Sequence, residues 1–174
     1  YQIDYKNVLV ADPNDTTGRR YISVDGMRSK GIELNVQGNI GSRIQVIGNY
    51  SLGSVKYFAE QSGNWKRNDR QLNVPRTVWG LFVSYKFDKK LEGLAFNAGI
   101  HHEGNRVASW SNQKFVTPAY TYFDAGTSFK YKKITLYLNV NNIFNTRYIT
   151  GGYVTGLVYP GTPRNFRLSI NYIF

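Results

Sequence analysis

Ile32-Glu33-Leu34-Asn35-Val36-Gln37-Gly38-Asn39-Ile40 alternates apolar and polar residues, with Gly38 the one interruption. Successive side chains of a strand point to opposite faces, so a period of two marks a strand with one face in an apolar medium. The pattern continues in residues 43–52, where Ile44, Val46, Tyr50 and Leu52 oppose Arg43, Gln45, Asn49 and Ser51. In residues 79–87, Trp79, Leu81, Val83, Tyr85 and Phe87 oppose Gly80, Ser84 and Lys86, and Phe82 is an exception. Further strands are predicted over residues 94–102, 121–131, 134–140 and 166–174, with a less regular first strand over residues 1–10. These eight segments are near the ~9–11 residues of a bilayer-crossing strand, longer than the usual 5–6 of a soluble sandwich.

The connections alternate in length. Short ones fall at residues 40–43, 88–93 and 131–133, and long ones at about residues 11–30, 56–73, 103–118 and 144–163. Short turns on one side and long loops on the other are the arrangement of an outer-membrane β-barrel. Phe87, Tyr131 and Phe174 fall at the short-turn ends, where an interfacial aromatic girdle belongs.

Composition narrows the function classes. In 174 residues there is no Cys, which excludes disulfides and thiolate metal sites, and no apolar run long enough for a membrane-spanning helix. Tyr1-Gln2-Ile3-Asp4 has neither the basic nor the apolar region of a signal peptide, so the chain reads as mature or as a piece of something longer. The net charge of +11 is not spread evenly. Residues 12–30, 56–70, 103–116 and 144–164 hold 12 basic and 6 acidic residues, whereas residues 41–43, 86–93 and 130–133 hold 7 and 2. What remains, Lys6, Arg76 and Arg167 against Asp4, Glu33 and Asp124, is neutral. Two charged rims around a neutral wall do not make the basic, aromatic-clustered face of a nucleic-acid-binding β-protein, and no nucleic-acid partner is expected.

Residues 138–148, Leu-Asn-Val-Asn-Asn-Ile-Phe-Asn-Thr-Arg-Tyr, precede a Gly/Tyr-rich loop, Pro160-Gly161-Thr162-Pro163-Arg164-Asn165-Phe166, and Leu168, Ile170, Tyr172 and Phe174. Together they resemble the closing strands of a TonB-dependent outer-membrane receptor. Three upstream stretches resemble the same family in the same order: Ser29-Lys30-Gly31-Ile32-Glu33, Leu72-Asn73-Val74-Pro75-Arg76 and Tyr120-Thr121-Tyr122-Phe123-Asp124-Ala125-Gly126. The pattern is most similar to ferric-siderophore receptors. The resemblance implies an all-β, transmembrane antiparallel barrel of about 22 strands, of which residues 1–174 supply the last eight or so as a single partial domain without the plug. It also implies a Gram-negative outer-membrane location and uptake of an iron chelate. The implied partners are the N-terminal remainder with its plug, the TonB complex, the barrel-assembly machinery and the lipid bilayer. A self-contained eight-strand structural or adhesive barrel is the alternative.

No catalytic constellation can be assembled, and no enzyme, resident cofactor or protein-held metal is expected; iron would travel inside the transported chelate. His101 and His102 are consecutive on a strand and point to opposite faces, leaving His101 toward the lumen. Ligand contacts are expected where an aromatic face and a cation coincide in the long loops: Trp65, Lys66 and Arg67; Arg106 and Trp110; Arg147, Tyr148, Tyr153 and Tyr159. Leu168, Ile170, Tyr172 and terminal Phe174 form the expected barrel-assembly signal. Asn139, Asn141 and Asn142 are expected to bond backbone or turn groups at the strand end. Pro75 is expected to begin a strand, and lumen-facing Asp124 and Glu33 to pair with Arg76 or Arg167.

Overall fold

Alternation carries most of the chain into strands. The computed structural model describes residues 1–12, 17, 19–24, 26–58, 67–109, 115–154 and 157–174. In chain order, β1 (Gln2–Tyr5) precedes a hairpin of β2 (Val8–Ala11) and β3 (Tyr21–Val24), then the long pair β4 (Met27–Ile40) and β5 (Ile44–Tyr57). β6 (Thr77–Lys86) and β7 (Leu94–Glu103) follow, then a second hairpin of β8 (Arg106–Ser109) and β9 (Phe115–Thr117). The chain continues through β10 (Tyr120–Tyr131) and β11 (Ile134–Asn141), a third hairpin of β12 (Ile149–Val154) and β13 (Leu157–Pro160), and β14 (Asn165–Tyr172).

Eight of these strands pair antiparallel in the order β1-β4-β5-β6-β7-β10-β11-β14. The eight expected crossings are present, but the first is split: residues 1–10 divide into β1, which pairs with β4, and β2, which leaves with β3. Asn7 stands between them at φ 56°, a left-handed turn that breaks the extended run. β1 and β14 are the sheet edges and do not pair with each other among the described residues, so these strands form an open wall, not an eight-strand barrel.

Register puts the apolar residues on one face. Ile32 stands opposite Leu52, Leu34 opposite Tyr50 and Ile40 opposite Ile44; Val46 meets Val83, and Leu138 meets Leu168. Ile32 is 68% exposed, Leu168 69% and Ile170 69%. A continuous apolar face this open is matched to hydrocarbon, not water. The other face carries Asn35, Gln37, Asn97, Asn139 and Arg167, and accounts for Phe82, which stands opposite Ile47 on this polar side.

The turns at the short-connection end need left-handed backbone, supplied by Gly41 (φ 61°), Gly93 (φ 90°) and Lys132 (φ 52°). At Gly93 a Cβ would collide with the Lys130 carbonyl. Arg43 pairs with Asp88 and ties two of these turns together. Around them Phe87 meets Tyr85 and Phe96 edge-on at 4.9 and 5.5 Å, and Tyr172 meets Phe174 at 5.1 Å. These rings share the apolar face and form the expected girdle. A second aromatic belt, absent from the sequence reading, lies at the opposite end, where Trp79 stacks on His102 at 5.0 Å and Phe123 meets Phe144 at 5.4 Å.

Among the described residues, the buried apolar side chains gather at the long-connection end: Tyr57 and Tyr120 at the ends of wall strands β5 and β10, and Val107 and Ala108 in the loops. Val107 and Ala108 of β8 and Thr117 of β9 are at most 3% exposed, packed against β12. Asn73 clamps this cluster to the wall: its N–H donates to the Val107 carbonyl (2.8 Å), its Nδ2 to the Gly152 carbonyl (2.7 Å), and its Oδ1 accepts from the Gly152 N–H (2.9 Å). Pro75 therefore sits in the clamp segment, two residues before β6, where its missing N–H costs nothing.

Candidate functional site

Where β11 ends, the chain turns on Asn142. Its backbone adopts φ 52°, a left-handed conformation that Asn tolerates better than most residues, and its side chain is 2% exposed. Nδ2 donates to the Thr146 carbonyl (2.9 Å) and the Thr162 carbonyl (3.0 Å), and Oδ1 accepts from the Thr146 N–H (2.8 Å). Its own N–H donates to the Asp124 carboxylate at 2.7 Å. Asn141 Nδ2 adds a bond to Asn165 Oδ1 at 2.8 Å. The loop after β11 is thus pinned to β10 on one side and to the approach to β14 on the other, which sets Tyr148 over the polar face of the wall.

Tyr148 completes a ladder of rings. It stacks on Tyr120 (centroids 4.4 Å) and Tyr122 (5.2 Å), and Tyr122 stacks on His101 (4.8 Å), whose Nε2 lies 3.0 Å from the Asp124 carboxylate. At the loop end the Arg106 guanidinium lies 5.7 Å from the Tyr120 ring centre, pairs with Glu103 and donates to the Thr150 carbonyl. Gly161 lies directly under Tyr148, where any Cβ would overlap the ring. Burial pushes the Tyr148 hydroxyl above its ordinary pKa, so it stays protonated as a donor. A cavity of about 220 Å³ opens beside the ladder, lined by Tyr122, Asp124, Asn141, Tyr148, Thr162 and Asn165. The one carboxylate lining it, Asp124, already accepts the Asn142 N–H at 2.7 Å and lies 3.0 Å from His101 Nε2. What it offers a ligand is flat aromatic surface and amide or hydroxyl hydrogen bonds.

Residues 1–143 match the family model described as TonB dependent receptor-like, beta-barrel. The chain belongs to the TonB-dependent receptor β-barrel family. It is 31% identical over 172 residues to the metal-pseudopaline receptor CntO of Pseudomonas aeruginosa, covering 98% of this chain and 24% of the relative. It is 29% identical over 161 residues to the ferrioxamine receptor of Yersinia enterocolitica, covering 88% and 22%. Among solved structures, the siderophore receptor PiuA from Acinetobacter baumannii superposes with a TM-score of 0.79 at 23% identity, over 98% of this chain and 25% of that one. The closed form of the ferric-catecholate import receptor Fiu from Escherichia coli K12 gives 0.78 at 25% identity, over 99% and 24%. The chain spans about a quarter of the length of these relatives.

Membership in the TonB-dependent receptor family places the wall in a Gram-negative outer membrane, its apolar face toward lipid and its polar face toward the lumen. The ladder is therefore on the lumen wall at the end where the long connections gather. Of the residues expected to meet a ligand, Arg106 and Tyr148 are brought together through Tyr120. Arg106 is nonetheless 6% exposed and spends its guanidinium on Glu103, Thr150 and Tyr120, so it positions the loop and offers a ligand no open face, a correction to the sequence reading. Arg147 is exposed beside Tyr148, and Tyr159 is exposed on β13 opposite Gly151. Arg67 lies elsewhere, in the turn beyond β5. Trp65, Lys66, Trp110 and the Tyr153 side chain lie outside the described residues.

The expected ion pairs are also corrected. Asp124 lies 3.0 Å from His101 Nε2 and meets neither Arg76 nor Arg167, and Glu33 is exposed and makes no ion pair among the described residues. Arg167 stands opposite Asn139, two strands from β10 and offset along it, and Arg76 precedes β6 some six residue steps above the level of Asp124. At about 3.3 Å per residue neither cation reaches the carboxylate. Tyr120 and Tyr122 were missed as site residues, although Tyr120, Tyr122 and Asp124 occupy alternate positions on one face of β10.

Proposed function

We propose that this chain supplies part of the barrel wall and the extracellular loops of a receptor that imports a scarce metal, iron first, as an organic chelate, driven through the TonB complex. The observation that carries the reading is the lumen-facing ladder of Tyr120, Tyr148, Tyr122 and His101 under the folded loops. Stacked rings present a flat, weakly hydrated surface to the apolar and aromatic arms of a chelator. The relatives support the same cargo class, being named receptors for metal-pseudopaline and ferrioxamine. The protein carries cargo and is no enzyme, and its metal enters and leaves inside the chelate with no resident cofactor. Tyr1, Ile3, Tyr5, Ile47 and Phe82, all exposed on the lumen side, are the surface that a plug domain would cover. The test is growth and radiolabelled ferric-chelate uptake in metal-limited cells with and without the gene. Loss of uptake of at least one chelate is expected, and undiminished growth on every chelate tried would refute the cargo assignment.

The C-terminal strand carries a second element of the proposal. Leu168, Ile170, Tyr172 and Phe174 project from one face of β14 and beyond it, with Phe174 fully exposed, as a strip the barrel-assembly machinery would read. Phe174→Ala is expected to reduce the folded, heat-modifiable form in outer-membrane fractions severalfold while leaving the stability of whatever does fold near wild type. Equal amounts of folded protein would remove Phe174 from the signal.

A further inference from the structure

A basic cavity occupies the outer face of the wall, away from the ladder. It holds about 370 Å³ and is lined by four cations, Lys30, Lys56, Arg70 and Arg76, with Asp69 the one carboxylate and Ser54 between them. Register fixes its side. Lys30 stands opposite Ser54, two positions along from Ile32 opposite Leu52, so these residues continue the lipid-facing row. Lys56 lies two positions further and bridges to Arg70. Arg70 is held in place by the carbonyls of Val74 (3.3 Å) and Asn105 (3.2 Å). Burial and then the charge of Arg76 lower its pKa from the ordinary value, the mark of an electropositive pocket. The neighbouring cation on the same row, Arg28, is already neutralised by Asp4 at 2.7 Å, whereas Lys30 and Lys56 are exposed.

Height on the wall identifies the ligand class. The outward apolar run from Ile32 to Ile40 covers eight residue steps, about 27 Å of strand and roughly 20 Å of depth at a tilt of about 40°, close to the apolar band of such barrels. Each further pair of residues climbs about 5 Å. Lys30 therefore stands one step and Lys56 two steps above the hydrocarbon edge, on the side of the long loops, at the depth of lipid head groups. We propose that this cavity is a binding site for the phosphorylated head group of an outer-leaflet lipid, with Lys30 and Lys56 as its exposed cations and Arg70 as its ordered one. A soluble anion would meet the same charge, but it would not account for cations set on the lipid-facing row immediately above an apolar wall that holds the acyl chains.

The experiment uses the full native polypeptide that carries this sequence, folded in neutral detergent. Three probes are titrated at low ionic strength: lipid A, lipid A with its phosphates removed, and inorganic phosphate. Lipid A is expected to bind at least tenfold tighter than its dephosphorylated form, which needs no variant and no refolding. Lys30→Gln with Lys56→Gln is expected to weaken lipid A binding by about tenfold or more. Lys132→Gln with Lys133→Gln, on the opposite rim, is expected to leave it unchanged. Equal binding of the dephosphorylated lipid, an unaffected Lys30/Lys56 double variant of normal heat-modifiable mobility, or inorganic phosphate binding as tightly as the lipid would each overturn the assignment. The chelate proposal is untouched by any of these results, because it is read by uptake.

Discussion

Asn142→Ala is expected to release the loop between β11 and β12 and to cost about 3 kcal/mol locally, because three part-buried side-chain hydrogen bonds vanish. Ala must also hold φ 52°, which it does less readily than Asn. Hydrogen exchange on the full-length receptor checks this: the Thr146 amide should exchange more than a hundredfold faster, while amides deep in β11 keep their protection. Asn142→Gly separates the two causes, since it accepts the backbone conformation but makes none of the side-chain bonds. If Gly restores wild-type exchange, the side-chain bonding account is wrong; protection as poor as in the Ala variant supports it.

Tyr148→Ala is expected to weaken binding of the transported chelate by about thirtyfold or more, the scale of a central aromatic hot spot. The ring lies against both Tyr120 and Tyr122, which themselves stack at 6.3 Å, so its removal uncovers both rings at once and admits water to the Arg106 end. Tyr148→Phe keeps the stacked face and should stay within a few-fold of wild type. Gly161→Ala leaves every ring present but puts a methyl group where the Tyr148 ring lies, and should reproduce much of the Ala defect without touching Tyr148. Quenching of intrinsic fluorescence on titrating the ferric chelate into the full-length receptor measures all three. Wild-type affinity in Tyr148→Ala would take the ladder out of the binding surface, leaving the fold argument intact.

The wall was legible in the sequence because one rule, side-chain parity, governs every residue of a half-lipid, half-water strand. The long connections obey a different rule. Their hairpins, such as β8–β9 and β12–β13, are short and bury small residues like Ala108 and Gly152 against one another, so they show no alternation to read. The same limit explains the site. Residue type singles out Arg106 and Tyr148 but not that Arg106 is buried on Glu103 and Thr150; the joining ring of Tyr120 comes from another strand, and the Asp124 partner was misassigned. Which cation meets a carboxylate depends on register between strands far apart in the chain, and that becomes visible only when β7, β10 and β11 are aligned. Asn142 was read correctly as a hydrogen-bonding turn residue because its role is local.

Asn73 has a consequence for how such a receptor changes over generations. One side chain and one backbone N–H join the segment before β6 to β8 and to β12, stretches up to 79 positions apart in the chain. Surface loops ordinarily drift independently, each free to accept insertions and exchanges. Here the loops after β5, β7 and β11 share a clamp. A change that shifts Gly152 is felt at Val107 through Asn73, so a graft of any one of these loops alone inherits a broken joint.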